Sequence, residues 1–268
     1  AGSMEDAQTD GDLVARVGGV TKVFVDERGR AREALAGIDL EVPRGRFLSI
    51  VGPSGCGKST LLRILGGLST CTEGDLWLAP EVRGRIAFVF QDHGLLPWLR
   101  VVDNAAFGLR MAGVPRAERR AAAMAWLQRL GLAGAADAWP DELSGGMRQR
   151  LSLARALATD PMLLLMDEPL GALDPQTRLV VQQDLARLFE DTGVTMVLVT
   201  HSLEEAILLG DRVVAMTASP GRIAEVLEVP LPRPRAEDVM DTETFVEVRH
   251  ALWHRLEREV RLAMGERT

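Results

Sequence analysis

The stretch from Phe47 to Val51 is almost wholly apolar and runs directly into Gly52-Pro53-Ser54-Gly55-Cys56-Gly57-Lys58-Ser59. No other part of the chain restricts its folding as much. A short apolar run stopped by turn residues is a buried strand. The glycines and the proline cannot extend it, and a helix is expected to begin near Lys58. A strand, a glycine-rich loop and a helix amino terminus in that order point successive backbone N–H groups and the positive end of the helix dipole at one anion. The segment fits the phosphate-loop pattern, and its flanks are those the pattern requires. Gly52, Pro53, Ser54, Gly55, Cys56, Gly57, Lys58, Ser59 and Thr60 are therefore candidate contacts to nucleotide phosphates. Lys58 would reach the terminal phosphates, and the Ser59 hydroxyl would ligate Mg²⁺.

Two further apolar runs, Met162 to Met166 and Val194 to Thr200, also read as buried strands, and each leads into polar residues. Continuous apolar strands belong to a parallel sheet, whose ligands collect at the carboxyl edge. The first run ends in Asp167-Glu168, where Asp167 can hold the metal through water and Glu168 can polarise an attacking water. The second ends in His201, which would emerge beside Glu168, within reach of a γ-phosphate. Upstream, Val17 to Val25 and Leu35 to Val42 alternate in polarity, as half-exposed antiparallel strands do. From Leu99 to Asp160 the composition turns to Ala, Leu, Arg and Met, with helical stretches at Arg116 to Leu130 and Arg148 to Ala158. The fold expected is α/β with a helical insertion at about residues 99–160.

Pro230-Leu231-Pro232-Arg233-Pro234 can continue neither helix nor ladder and marks a boundary. Beyond it Phe245, Val248, Leu252, Leu256 and Val260 recur at helical spacing, with Thr244 and Glu247 placed for a capping box. Residues 231–268 are thus expected to be a Pro-rich linker and an amphipathic helix packed on its own domain or on a partner. Residues 1–12 are expected to be flexible, with Ala1-Gly2-Ser3-Met4 a cloning scar before a native Met4. The apolar runs are far shorter than the roughly 20 residues a membrane-crossing helix needs. A net charge of -7 over 268 residues gives no global basic field for nucleic acid. Only Cys56 and Cys71 are present, which suits a reducing compartment better than a disulfide framework. Cys56 lies among loop N–H groups at a helix amino terminus, a setting that favours thiolate, unless Cys56 is simply a small residue that fits the loop.

Leu143-Ser144-Gly145-Gly146-Met147-Arg148-Gln149-Arg150 opens a helix that Ser144 can cap, while Gly145 and Gly146 leave room for a second anion. This segment resembles the signature motif of the ATP-binding cassette (ABC) family. The resemblance runs from about Leu13 to Val229 and includes Phe24, Gln91, Asp174 and His201. It implies a P-loop NTPase (RecA-like) core with an antiparallel β subdomain and a helical insertion, an ABC ATPase domain over 13–230, and ATP with Mg²⁺ as ligands. It further implies a head-to-tail dimer in which Ser144, Gly145 and Gly146 of one copy close over ATP held by the other. Phe24 would stack on adenine, Gln91 would contact Mg²⁺ and the attacking water, and Asp174 would sit at the dimer junction. Phe24 stands where Tyr is usual, Gly171 where Ser is usual, and Ser202 where Asp commonly follows the histidine.

Val89 to Trp98, with Asp103-Asn104, Phe107-Gly108 and Ala218 to Ile223, is similar to bacterial importer subunits of the nitrate, sulfonate and taurine group. That likeness implies integral membrane permease subunits and a periplasmic or lipid-anchored solute-binding protein as partners. It implies a peripheral place on the cytoplasmic face of the inner membrane, with no nucleic acid bound. The alternative is a soluble ABC-type ATPase acting in nucleic-acid or ribosome processes, which predicts duplicated cassettes or basic arms; neither is visible. Trp98, with Leu95 and Leu96, is either core of the helical insertion or a pocket for a short helix of a membrane subunit.

Overall fold

A computed structural model describes residues 10–217, 220–235 and 237–263 of the chain. The expected scar at Ala1 to Met4, the Ala218-Ser219 pair and the Val260 side chain lie outside those described. The first described element is a 3-10 turn at Asp10–Asp12, whose last carbonyl accepts a hydrogen bond from the Arg44 amide. Strands β1 (Leu13–Val25) and β2 (Ala31–Pro43) then pair antiparallel, one face buried and the other wet, as their alternating polarity requires. Strand β3 (Phe47–Val51) leads through the glycine-rich loop to α1 (Lys58–Leu65), and β4 (Glu73–Leu78) returns to pair with β1.

After β5 (Ile86–Val89) the chain is helical: α2 (Val101–Ala105), α3 (Phe107–Met111), α4 (Arg116–Arg129) and α5 (Gly145–Leu157). Helix α5 begins at Gly145 with the expected Ser144 cap in place: the hydroxyl accepts the Met147 amide at 3.3 Å, so the turn ahead of the Arg148 to Ala158 stretch is helical too. Then follow β6 (Leu163–Asp167), α6 (Pro175–Thr192), β7 (Thr195–Thr200), α7 (Leu203–Leu209), β8 (Arg212–Met216), β9 (Ile223–Glu228) and α8 (Glu243–Ala263). Among the described residues no helix is long and apolar enough to cross a membrane.

The strands form two sheets, an antiparallel one ordered β2-β1-β4 and a six-stranded one ordered β5-β6-β7-β3-β8-β9. In the second sheet every neighbouring pair is parallel except β8 with β9. Strands β6, β7 and β3 are buried on both faces, which is why they carry no polar alternation. Leu164 and Met166 of β6 pack toward the helical layer, whereas Leu163 and Leu165 pack toward α1 and the antiparallel sheet. Because β5, β6, β7 and β3 are adjacent and parallel, the residues that follow them emerge in one row along a single edge.

The Pro-rich segment is not an open tether. Arg235 is buried and donates to the carbonyls of Leu231, Ile207, Leu208 and Gly210, so it caps the end of α7. Burial, with Arg233 alongside, lowers its pKa to about 10. Helix α8 packs Phe245, Leu252 and Leu256 onto α7 and β8, within its own chain. Its cap departs from expectation: the Phe245 amide donates to the Thr242 hydroxyl at 3.3 Å, and Thr244 lies inside the first turn. The preceding 3-10 turn, Glu237–Asp241, holds Thr242 through a hydroxyl bond to the Val239 carbonyl and so sets the start two residues early.

Candidate nucleotide-binding site

The glycine-rich loop wraps around Lys58, which is 5% exposed and donates through Nζ to the carbonyls of Gly52 (2.8 Å) and Pro53 (3.1 Å). Gly57, just before α1, has φ 97°, and a Cβ there would stand 2.6 Å from Leu35 Cδ2 and 2.7 Å from the Ala34 carbonyl. Only glycine satisfies both conditions. The loop thereby seats directly against β2, and the α1 amino terminus opens into a cleft of about 400 Å³. Phe24, Arg32, Ser54, Lys58, Thr60 and Glu168 are among its lining residues, and Phe24 is half-exposed there.

Across the cleft floor, Ser59 Oγ donates to Asp167 Oδ1 at 2.7 Å. A hydroxyl and a carboxylate on one spot form a hard oxygen set of the kind Mg²⁺ takes, so the residues fit that ion. The next residue, Glu168, has φ 45°, a left-handed conformation costing a non-glycine residue roughly 1–2 kcal/mol. Its amide is anchored to the Val199 carbonyl at 2.9 Å, and its Oε2 lies 3.4 Å from His201 Nδ1. A carboxylate and an imidazole thus face each other where the β6 and β7 edges meet. Ser202, in place of the usual Asp, accepts the Glu205 amide and caps α7.

Cys56 departs from expectation. It is buried beneath the loop with its amide bonded to the Pro53 carbonyl, and burial pushes its thiol pKa up, outweighing the nearby Lys58 charge. Lys58 Nζ stands 4.0 Å from the sulfur, a contact too weak to offset the lost hydration of a thiolate, so Cys56 is a small neutral residue that fits the loop.

Gln91 follows β5 and is exposed, outside the lining of the cleft. The loop that carries it is bolted to α5: His93 Nδ1 is 2.7 Å from Gln149 Oε1, and Arg155 donates to the carbonyls of His93 and Gly94. Partial burial holds the His93 pKa below the ordinary imidazole range. Sequence reading missed Gln149 and Arg155 in this role, since nothing in a helix's own periodicity names the loop it will grip. Farther along, the buried Asn104 side chain bonds the backbone of Leu96, Leu99 and Arg100. Trp98 sits on this stapled loop 69% exposed, which excludes the core reading of that residue.

Ser144 and Gly146 line a second, shallower groove of about 270 Å³ between α5 and α6, with Thr177 and Val181. A Cβ on Gly146 would fall 2.4 Å from Thr177 Cγ2, so this glycine lets the two helices touch. Gly145 stands beside it as the first residue of α5. Asp174 caps α6 by accepting the Thr177 amide at 3.1 Å, and that hydrogen bonding holds its carboxyl below the usual range. The two clefts share no lining residue.

Residues 35–171 match the ABC transporter family model. The chain is 50% identical over 213 residues to an aliphatic sulfonates import ATP-binding protein of Mesorhizobium japonicum, covering 79% of each. It is 42% identical over 260 residues to a bicarbonate transport ATP-binding protein of Synechococcus elongatus, covering 93% of this chain and 39% of that protein. In shape it resembles the dimeric post-hydrolysis structure of an ATP-binding cassette bound to ADP and Pi, with a TM-score of 0.69 at 33% identity over 81% of this chain and all of that one.

Proposed function

The chain belongs to the ABC transporter family, and from that premise we propose that it is the ATP-hydrolysing subunit of a bacterial importer for a small anion, a sulfonate, nitrate or taurine-like solute. The observation that carries the reading is the convergence of Lys58, the Ser59–Asp167 pair and the Glu168–His201 pair at one sheet edge. Lys58 and the loop N–H groups grip the terminal phosphates, and the Gly52 to Thr60 loop adds the dipole of α1. Ser59 and Asp167 would hold Mg²⁺, joined by Gln91 as the family resemblance implies although Gln91 lies outside the cleft lining in this structure, and the ion would supply charge neutralisation on the phosphate oxygens. Glu168 accepts the proton of the attacking water, and His201 orients that water and the γ-phosphate. Phe24 stacks on adenine.

A second copy brings Ser144, Gly145 and Gly146 over the nucleotide and Asp174 to the junction, head to tail. Supporting this is the separateness of the two clefts on one chain: each is one half of a phosphate site. Integral permease subunits and a periplasmic or lipid-anchored solute-binding protein complete the assembly, with this chain peripheral on the cytoplasmic face of the inner membrane. The sulfonate and bicarbonate named for the two relatives are both small anions, which supports that cargo class.

The test uses Trp98→Ala. Purified subunit should keep ATP hydrolysis within about twofold of the parent, because an exposed side chain carries little of the fold. The complex reconstituted with its permease should lose uptake or fail to assemble. Normal uptake would remove Trp98 as the permease anchor, and turnover stimulated by nucleic acid instead of the permease would favour the soluble alternative.

A further inference from the structure

Arg32 has no assigned task, yet it lines the same cleft as Lys58 and Glu168. Its place is set by strand register: in the β1–β2 pair Arg32 lies directly opposite Phe24, so the two side chains project on one face of the sheet. The strand is pinned there, since the Gly221 amide donates to the Ala34 carbonyl and the Ala36 amide donates to the Gly221 carbonyl, each at 3.0 Å. The guanidinium reaches over the phosphate loop, with Nη2 3.9 Å from where a Cβ on Gly55 would stand. Phe24 is held beside it by Lys22, whose Nζ is 5.1 Å from the ring centre and donates to the Thr70 carbonyl.

Arg32 is exposed and makes no hydrogen bond or ion pair among the described residues. Its neighbour across the cleft, Glu168, is engaged with His201. Lys58 is buried among the loop carbonyls of Gly52 and Pro53, whereas Arg32 is exposed and comes from the antiparallel sheet. A planar fork of N–H donors aimed at a loop of phosphate-binding amides suits a phosphate oxygen pair better than any other ligand group.

We propose that Arg32 is a second phosphate-contacting cation of this cleft, gripping the nucleotide's polyphosphate from β2 as Lys58 does from α1, with Phe24 beside it taking the base. The inference rests on the nucleotide reading above. It assigns the recognition of nucleotide to charge more than to stacking, since the Phe24 ring offers a face and no hydroxyl. Affinity then falls steeply as phosphates are removed, and it falls with salt.

The test measures equilibrium binding of ATP and AMP in a Glu168→Gln background, which keeps the cleft's shape while ATP stays intact. Arg32→Ala should weaken ATP about tenfold and AMP by less than about twofold, with melting temperature unchanged. Arg32→Lys should recover part of the loss, and the difference between Arg32 and Arg32→Ala should shrink at high salt. Unchanged ATP affinity, or an equal loss for ATP and AMP, overturns the inference. Lys58→Ala run alongside separates the two readings: loss of ATP there but not with Arg32→Ala leaves the phosphate loop standing and removes Arg32. A parent that binds no ATP overturns both.

Discussion

The cleft at the ends of β3, β6 and β7 and the groove between α5 and α6 both offer a helix amino terminus to an anion, but they are held together in different ways. In the first, the decisive contacts join residues far apart in the chain, Ser59 to Asp167 and Glu168 to His201, across strands that are buried on both faces. In the second, the helix caps are local, Ser144 to Met147 and Asp174 to Thr177, and a single ion pair, Arg150 to Asp184 at 2.8 Å, ties α5 to α6 on a shallow surface. Lys58, the Ser59 hydroxyl, two carboxylates and an imidazole converge on the first; the second is lined by the first turns of α5 and α6, with Met147, Val180 and Val181 and with Arg150 already paired to Asp184. The first has the groups for chemistry. The second offers helix ends without those groups, and the proposed assembly uses it to cover a phosphate held by the other copy.

The largest expected effect comes from striking the first region. Lys58→Ala removes the buried ammonium and its bond to the Gly52 carbonyl, while the Pro53 carbonyl keeps the Cys56 amide, so ATP hydrolysis should fall about a hundredfold or more, with affinity reduced in parallel. Turnover and circular dichroism measured on the same preparation check it. Parental turnover would mean that the loop is not the phosphate site.

A smaller effect sharpens the account of the second region. Gly146→Ala drives a methyl into Thr177 Cγ2 and should cost about 1–3 kcal/mol in chemical denaturation as α5 and α6 part. Thr177→Ser removes that methyl and should restore most of the stability. If the pair is stable but still inactive, the floor itself must be bare for the phosphate; if Gly146→Ala alone is as stable as the parent, the helices do not touch as described.

The smallest effect separates a residue in the loop from a residue in the cleft. Cys56 is buried with its pKa raised, so at neutral pH it stays a neutral thiol, and iodoacetamide should modify the more accessible Cys71 first with little early loss of activity. Peptide mapping against residual turnover decides the order. Fast inactivation traced to Cys56 would show that the loop opens far more than its packing allows.

The amino-acid sequence alone determined the strands β3, β6 and β7 and the residues waiting at their ends. An unbroken apolar run admits one environment, a sheet covered on both faces, and in a parallel sheet the polar residues behind such runs must share an edge. The Ser144 cap was legible for the same reason, being a contact across three residues. Tertiary structure alone decided the rest. The β1–β2 register brought Arg32 beside Phe24, packing on α6 gave Gly146 its reason to be glycine, and the burial of Cys56 reversed the expected direction of its pKa. At the start of α8, the turn before it chose Thr242 over Thr244 as the cap. Each of these depends on which distant surface a residue meets, and a charge, a thiol or a missing Cβ changes its meaning with the dielectric and the space of that meeting, quantities that no local pattern of residues encodes.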